Sequence, residues 1–172
     1  MIKYPFVTYT GKCIDITNIQ VDDIDIVDIA HSLSLQCRFG GHLSEFYSVA
    51  QHSMRVAMAL PKQYRFVGLM HDATETYIMD LPRPIKVLMP IYQELEQRVW
   101  EVIAKQFKLP KTIPNTVMRM DDAMLAIEAR ELTLIKFDWE SKNIHNLQRE
   151  PPKPSYQAKM EFLQLFSAFQ KG

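Results

Sequence analysis

The sequence predicts a single, mostly helical domain that opens with a short β-hairpin. Three observations carry this. Apolar residues recur at three- and four-residue steps over most of the chain. Prolines and paired glycines fall between those periodic runs, and only one stretch, near the N-terminus, has a strand signal. The 172 residues are 47% apolar, which suits a domain with its own core and excludes a disordered or collagen-like polymer. At this length roughly 70% of the extended-chain surface is buried on folding, so no disulfide or metal is needed merely to fold. Neither an internal repeat nor a long linker divides the chain, and residues 1–172 read as one domain.

In chain order, residues 6–16 surround Thr10-Gly11-Lys12 and read as the hairpin. From Asp22 onward Ile26, Ile29, Ala30 and Leu33 mark a helix. Its early aspartates, from Asp22 to Asp28, favour the N-terminal dipole and form a solvated face, while His31 in the apolar stripe reads as a structural hydrogen-bonding residue. Gly40-Gly41 breaks this helix. Ser44 caps a second helix that runs to Leu60, where Pro61 stops it. A third spans 63–78 and ends before Asp80-Leu-Pro-Arg-Pro-Ile-Lys86, whose prolines cannot occupy a helix interior. Further helices are predicted over 91–107, 115–139 and 155–169, separated by proline breaks. Met118, Met120 and Met124 read as core filler. On the last helix Phe162, Leu165, Phe166 and Phe169 form an apolar face for this core or for another subunit. His145 receives no assignment.

Twenty Lys+Arg balance twenty Asp+Glu. A general nucleic-acid binder carries a basic excess or stripe, so nucleic acid is not the expected partner. No apolar run approaches the ~18 residues of a membrane span, and the stretch from Met1 to Pro5 lacks the apolar core of a signal peptide. The expected compartment is the cytoplasm (a host's, if the protein is phage-encoded), with no membrane partner. Cys13 and Cys37 lack CxxC spacing and read as reduced structural thiols.

Against this background stand Gln51-His52-Ser53, the run His71-Asp72-Ala73-Thr74-Glu75, and Met120-Asp121-Asp122, each inside a predicted helix. A lone histidine or a lone His-Asp pair is more often structural. The order H…HD…D on separate helices is what points to a metal. Two neutral imidazoles and two carboxylates make four ligands of net charge −2, which balances a divalent cation. Mixed nitrogen and oxygen ligation suits Mn²⁺, Fe²⁺, Co²⁺, Ni²⁺ or Zn²⁺, whereas Mg²⁺ accepts the carboxylates more readily than the imidazoles. Glu75 follows His71 by four residues and Asp72 by three, spacings that share a helical face. A carboxylate just outside a metal shell takes a proton from water or orients it. Arg38 offers a bidentate fork to a phosphate and Lys86 a compact charge.

His52, His71-Asp72 and Asp121 resemble the signature of HD-domain metal-dependent phosphohydrolases. The wider context resembles the deoxynucleotide-directed branch: Arg38-Phe39-Gly40-Gly41-His42, the run from Tyr47 to Ser53, Gly68-Leu69-Met70-His71-Asp72-Ala73, and Asp80-Leu81-Pro82-Arg83-Pro84. That branch includes bacterial 5′-deoxynucleotidases and small phage deoxyadenosine triphosphate triphosphohydrolases, and the similarity runs from the hairpin through Glu128-Ala129-Arg130.

The resemblance implies an HD-domain helical bundle that binds a divalent metal through His52, His71, Asp72 and Asp121. Asp122 is the competing last ligand; the interval back from Glu128 matches the family at Asp121. Glu75 becomes the carboxylate acting on water, with Asp80 supporting catalysis. Phe39, where relatives often have Trp, packs on a base or sugar, and His42 approaches the phosphates. The implied substrate is a small-molecule deoxynucleotide, and the implied assembly is a homo-oligomer, a dimer or hexamer. Favoured is release of tripolyphosphate from a dNTP such as dATP. The alternatives are 5′-deoxynucleotidase action on a dNMP, an HD phosphodiesterase of signalling nucleotides, and a non-enzymatic nucleotide-binding regulator on the same fold.

Overall fold

The computed structural model describes residues 5–133 and 150–171. As the periodicity predicts, the fold is all-α with one short hairpin: β1 (Phe6–Val7) pairs antiparallel with β2 (Cys13–Ile14), Phe6 opposite Ile14 and Val7 opposite Cys13. Gly11, at φ 86°, supplies the left-handed residue of the connection. Eight α-helices follow among the described residues: α1 (Ile26–Leu35), α2 (Val49–Ala59), α3 (Arg65–Met70), α4 (Glu75–Ile78), α5 (Arg83–Lys86), α6 (Pro90–Phe107), α7 (Asn115–Leu132) and α8 (Ser155–Gln170). The core gathers Ile29 and Leu33 of α1, Ala50 and Val56 of α2, Leu69 and Met70 of α3, Ile103 of α6, Met124 of α7 and Phe162 of α8. α8 packs on α1, α2 and α3, so Phe162 and Phe166 are spent on this chain's own core. No helix among the described residues is long and apolar enough to cross a membrane.

Several boundaries differ from the sequence reading, each for a local reason. The first helix begins at Ile26, not Asp22, because the Asp25 carboxylate caps it by accepting from Val27 N, and 21–23 forms a separate 3₁₀ turn. Asp28 is buried rather than solvated: it accepts from Thr10 N at 2.7 Å and from the Thr10 hydroxyl at 2.8 Å, tying the hairpin to α1. Ser48, not Ser44, caps α2 by accepting from Gln51 N. The helix expected over 63–78 is interrupted at 71–74, where Ala73 N donates to Met70 O and Glu75 N to Asp72 O in tightened three-residue steps. The proline segment, expected as a plain break, contains α5, because Pro84 lies in its first turn, where a missing N–H costs nothing. Of the methionines assigned to the core, Met124 is buried and Met118 is exposed. The helix expected over 115–139 ends at Leu132, where Thr133 turns extended at ψ 153° and its N–H donates back to Ala129 O; residues 134–149, Trp139 and His145 among them, lie outside the described residues.

Candidate metal centre

α2, the turn after α3, and α7 deliver the ligand-type side chains. Gly68 permits the closest approach: a Cβ there would run into the Leu60 side chain and lie 3.4 Å from the Ala57 Cα, so glycine lets α3 close on the end of α2 without shifting Leu60. That approach brings the His71 ring to 5.4 Å, centroid to centroid, from the buried His52 ring. From α7 come Asp121 and Glu128, two helical turns apart on one face.

Both imidazoles have Nδ1 engaged and Nε2 turned inward. His71 Nδ1–H donates to the Gly68 carbonyl at 2.8 Å; a carbonyl only accepts, which leaves the lone pair on Nε2. This same bond occupies a helix carbonyl at the point where α3 ends. His52 Nδ1–H donates to Glu128, at 2.9 Å from Oε2 and 3.1 Å from Oε1. His52 Nε2 lies 3.0 Å from Asp121 Oδ1 and 3.6 Å from Asp72 Oδ2, and His71 Nε2 lies 3.2 Å from Asp72 Oδ1 and 3.7 Å from Asp121 Oδ1. One ligand atom from each of His52, His71 and Asp72 lies within 4.8 Å of the others. His71 Nε2 and Asp72 Oδ2 are buried and make no hydrogen bond among the described residues. Electron-pair donors gathered and left unsatisfied in this way fit a divalent cation.

Electrostatics follow from that crowding. Burial and Arg38 oppose a charged His52, but Glu128 and Asp121 prevail and hold it up at about 9. Burial likewise opposes charge on His71, and Asp72 and Asp121 raise it. Asp121 resists the upward push of burial and is held far below the carboxylate range by both imidazoles. Glu75 goes the other way: burial, then the Asp72 and Asp80 charges, push its carboxyl well above its usual value.

Beside these groups opens a cleft of about 310 Å³. Glu75 and Asp80 line it with Asp72 and Asp121, as do Arg38, Phe39 and Lys86. Phe39 holds φ 56°, unusual for a side chain of its size. Glutamine 36 (Gln36) links the two acidic positions: its amide donates to the Glu75 carbonyl at 3.0 Å, and its Oε1 accepts from Asp80 N at 3.0 Å.

Three sequence assignments are modified. His42 is exposed and does not line the cleft, because Gly40 and Gly41 at positive φ turn the chain outward before it. Lys86 lines the cleft but its ammonium donates to Glu96 at 2.6 Å, so it is already partnered. Arg38 is buried between Glu128 at 3.6 Å and Asp72 at 3.9 Å rather than free to fork around a phosphate. Between the adjacent aspartates, Asp121 faces the imidazoles, whereas Asp122 is exposed and pairs with Arg83 at 2.8 Å. Sequence reasoning missed the Tyr47, Glu128 and Arg55 cluster. Tyr47 OH donates to Glu128 at 2.7 Å, and Arg55 pairs with Glu131 at 3.0 Å. The available signal was an acid, Glu128, enclosed by Ala126, Ile127 and Ala129 on a helix that otherwise hides apolar residues.

No family model matches the chain. Among curated proteins it is 46% identical over 127 residues to the uncharacterized protein YfdR of Escherichia coli, a match spanning 74% of this chain and 71% of that one. The chain belongs to the YfdR family. This YfdR-family chain is also 33% identical over 131 residues to the uncharacterized protein RCAP_rcc00048 of Rhodobacter capsulatus, spanning 70% of this chain and 67% of that one.

Proposed function

We propose that this YfdR-family chain is a metal-dependent phosphohydrolase of the HD-domain type, acting on small-molecule deoxynucleotides as a cytoplasmic homo-oligomer. One observation carries the reading: two buried imidazoles, each with Nδ1 engaged, direct Nε2 toward Asp72 and Asp121 beside a cleft that also holds Glu75 and Asp80. His52, His71, Asp72 and Asp121 would hold the cation, with Mn²⁺, Fe²⁺, Co²⁺, Ni²⁺ and Zn²⁺ suited to the donor set and Mg²⁺ less so. Bound there, a divalent cation supplies Lewis acidity toward a phosphoryl oxygen and toward water.

The chain's own groups do the rest. Glu75, buried at the wall of the cleft beside Asp72, accepts the proton of the attacking water. Asp80, held by Gln36, keeps a second carboxylate in the cleft. Arg38 compensates the acidic cluster from behind, and Phe39 with Pro82 offers apolar wall to a sugar or base. Hydrolysis of a dNTP to deoxynucleoside and tripolyphosphate is the favoured reaction. Cleavage of a dNMP is the second reading, favoured by the engagement of Lys86 with Glu96, which leaves less free charge for distal phosphates. Dialysed protein assayed on dNTPs and dNMPs with each metal in turn, products identified by mass, tests the reading. Absence of turnover on every pair removes it.

A further inference from the structure

α4 ends at Met79, whose N–H donates to the Glu75 carbonyl at 2.9 Å. Its backbone is set at φ 73° and ψ 154°. Phe39 and Lys108 also have positive φ, but with ψ of 29° and 40° they sit in the ordinary left-handed well. Met79 lies outside that well, in a region that residues other than glycine hardly enter. The peptide joining it to Asp80 is turned by roughly 100° from its setting in a left-handed cap. Side-chain packing does not account for this, since the Met79 side chain is 61% exposed.

That peptide is held at both of its polar atoms. Its carbonyl, on Met79, accepts from the Tyr92 hydroxyl at 2.5 Å, and its N–H, on Asp80, donates to Gln36 Oε1 at 3.0 Å. The holders come from different helices, Tyr92 from the first turn of α6 and Gln36 from the residue that closes α1. Each is fixed in turn. The Gln36 amide gives its two N–H bonds to Ser32 Oγ at 2.9 Å and to the Glu75 carbonyl at 3.0 Å. Tyr92 is buried, with Lys86 Nζ 5.5 Å from the centre of its ring. Because the ψ of Met79 sets the plane from which Asp80 departs, release of this peptide would swing the Asp80 side chain. Asp80 and Glu75 both line the cleft beside the metal centre.

A backbone strained in this way persists only where its surroundings over-determine it. We infer that Gln36 and Tyr92 are positioning residues: by clamping one strained peptide they hold the Asp80 carboxylate in the cleft, in fixed relation to Glu75. What that carboxylate does there rests on the phosphohydrolase reading, whereas the clamp itself does not.

Met79→Gly removes the backbone penalty and little packing. The melting temperature of metal-free protein is therefore expected to rise by about 2–4 °C, even after the greater freedom of a glycine in the unfolded chain. Tyr92→Phe removes only the hydroxyl. In that background the gain from Met79→Gly should shrink by half or more, because the freed peptide has already relaxed. Turnover of dATP and of dAMP with Mn²⁺ reads the positioning role. Tyr92→Phe and Gln36→Met are expected to lower kcat tenfold or more, with KM within twofold and metal content unchanged. Added to Asp80→Asn, Tyr92→Phe should subtract little further, since it acts through that residue. No rise in melting temperature, the same gain in both backgrounds, parental kcat in Tyr92→Phe, or a full further loss in Asp80→Asn overturns the inference and leaves the hydrolase reading in place. Absence of turnover by the parent removes the hydrolase reading and the positioning role with it, while the melting temperatures still decide the clamp.

Discussion

Glu128 grips the ring of His52 from behind: both carboxylate oxygens lie within 3.1 Å of Nδ1, and neither residue is exposed to solvent. The imidazole is thereby fixed with Nε2 toward Asp121, and an acceptor at Nδ1 makes Nε2 the more basic nitrogen. Partners of this kind are worth about 10–100-fold in metal affinity. Glu128→Gln is expected to lose affinity in that range, measured by competition with a coloured chelator, and to mix the His52 tautomers seen by nitrogen NMR in metal-free protein above pH 9, where the ring is neutral. Tyr47→Phe, which removes one donor to Glu128, should lose less. An unchanged tautomer and affinity in Glu128→Gln would show that packing alone orients the ring.

The adjacent aspartates should separate cleanly. Asp121→Ala and Asp72→Ala remove ligand oxygens and are expected to abolish stoichiometric metal retention after dialysis, whereas Asp122→Ala, which breaks only an exposed pair with Arg83, should retain it. Metal analysis by mass spectrometry decides; retention in Asp121→Ala would move the fourth ligand elsewhere.

Glu75→Gln keeps the volume of the buried side chain but cannot accept a proton. Metal content should match the parent while turnover falls about 10²-fold or more. Should Glu75→Gln remain active and Asp80→Asn be dead, the water-handling role passes to Asp80.

Metal uptake should release protons and strengthen as pH rises. In the metal-free chain His52 is held at about 9 and is protonated at neutrality, so a cation must displace that proton to reach Nε2. Affinity therefore climbs as pH rises toward 9 and levels off above it. Calorimetry in two buffers of different ionisation enthalpy reads the proton count; a buffer-independent heat at pH 7 contradicts the sign.

Gly68→Ala should cost about 1–3 kcal/mol, because the added methyl drives into the buried end of the Leu60 side chain, which must repack. The melting temperature of metal-free protein gives the stability loss, and a parallel loss of metal affinity would link that packing to the site.

The fold was legible wherever periodicity alone decides it. α6, α7 and α8 begin within a residue of the sequence reading because their stripes are long and prolines mark their edges. Less legible were places where a side chain competes with the backbone: Asp25 and Ser48 capping later than the periodic run implied, and the turn at 71–74, where His71 takes the Gly68 carbonyl. At the site, His52, His71, Asp72 and Asp121 stood out because ionisable groups at core-facing positions break an apolar pattern. Gln36 and Arg83 could not be singled out, since their roles depend on residues distant in sequence. Lys86 misled for the matching reason: its partner Glu96 lies on another helix.

The tether at Gln51 bears on the order in which the molecule is made. Its amide donates to the Pro151 carbonyl at 2.8 Å and its Oε1 accepts from Lys153 N at 2.9 Å, anchoring the return of the chain beside His52. His52 itself reaches Asp121 and Glu128 across separations of 69 and 76 residues. A chain emerging from the ribosome therefore has no complete set of ligands until α7 has been synthesised and docked, and the closing of such long loops comes late in folding. A cation bound here would not be a nucleus around which the helices collect. It would arrive late and lock a topology already reached, so a nascent or truncated chain ending before α7 would take up no metal at this centre.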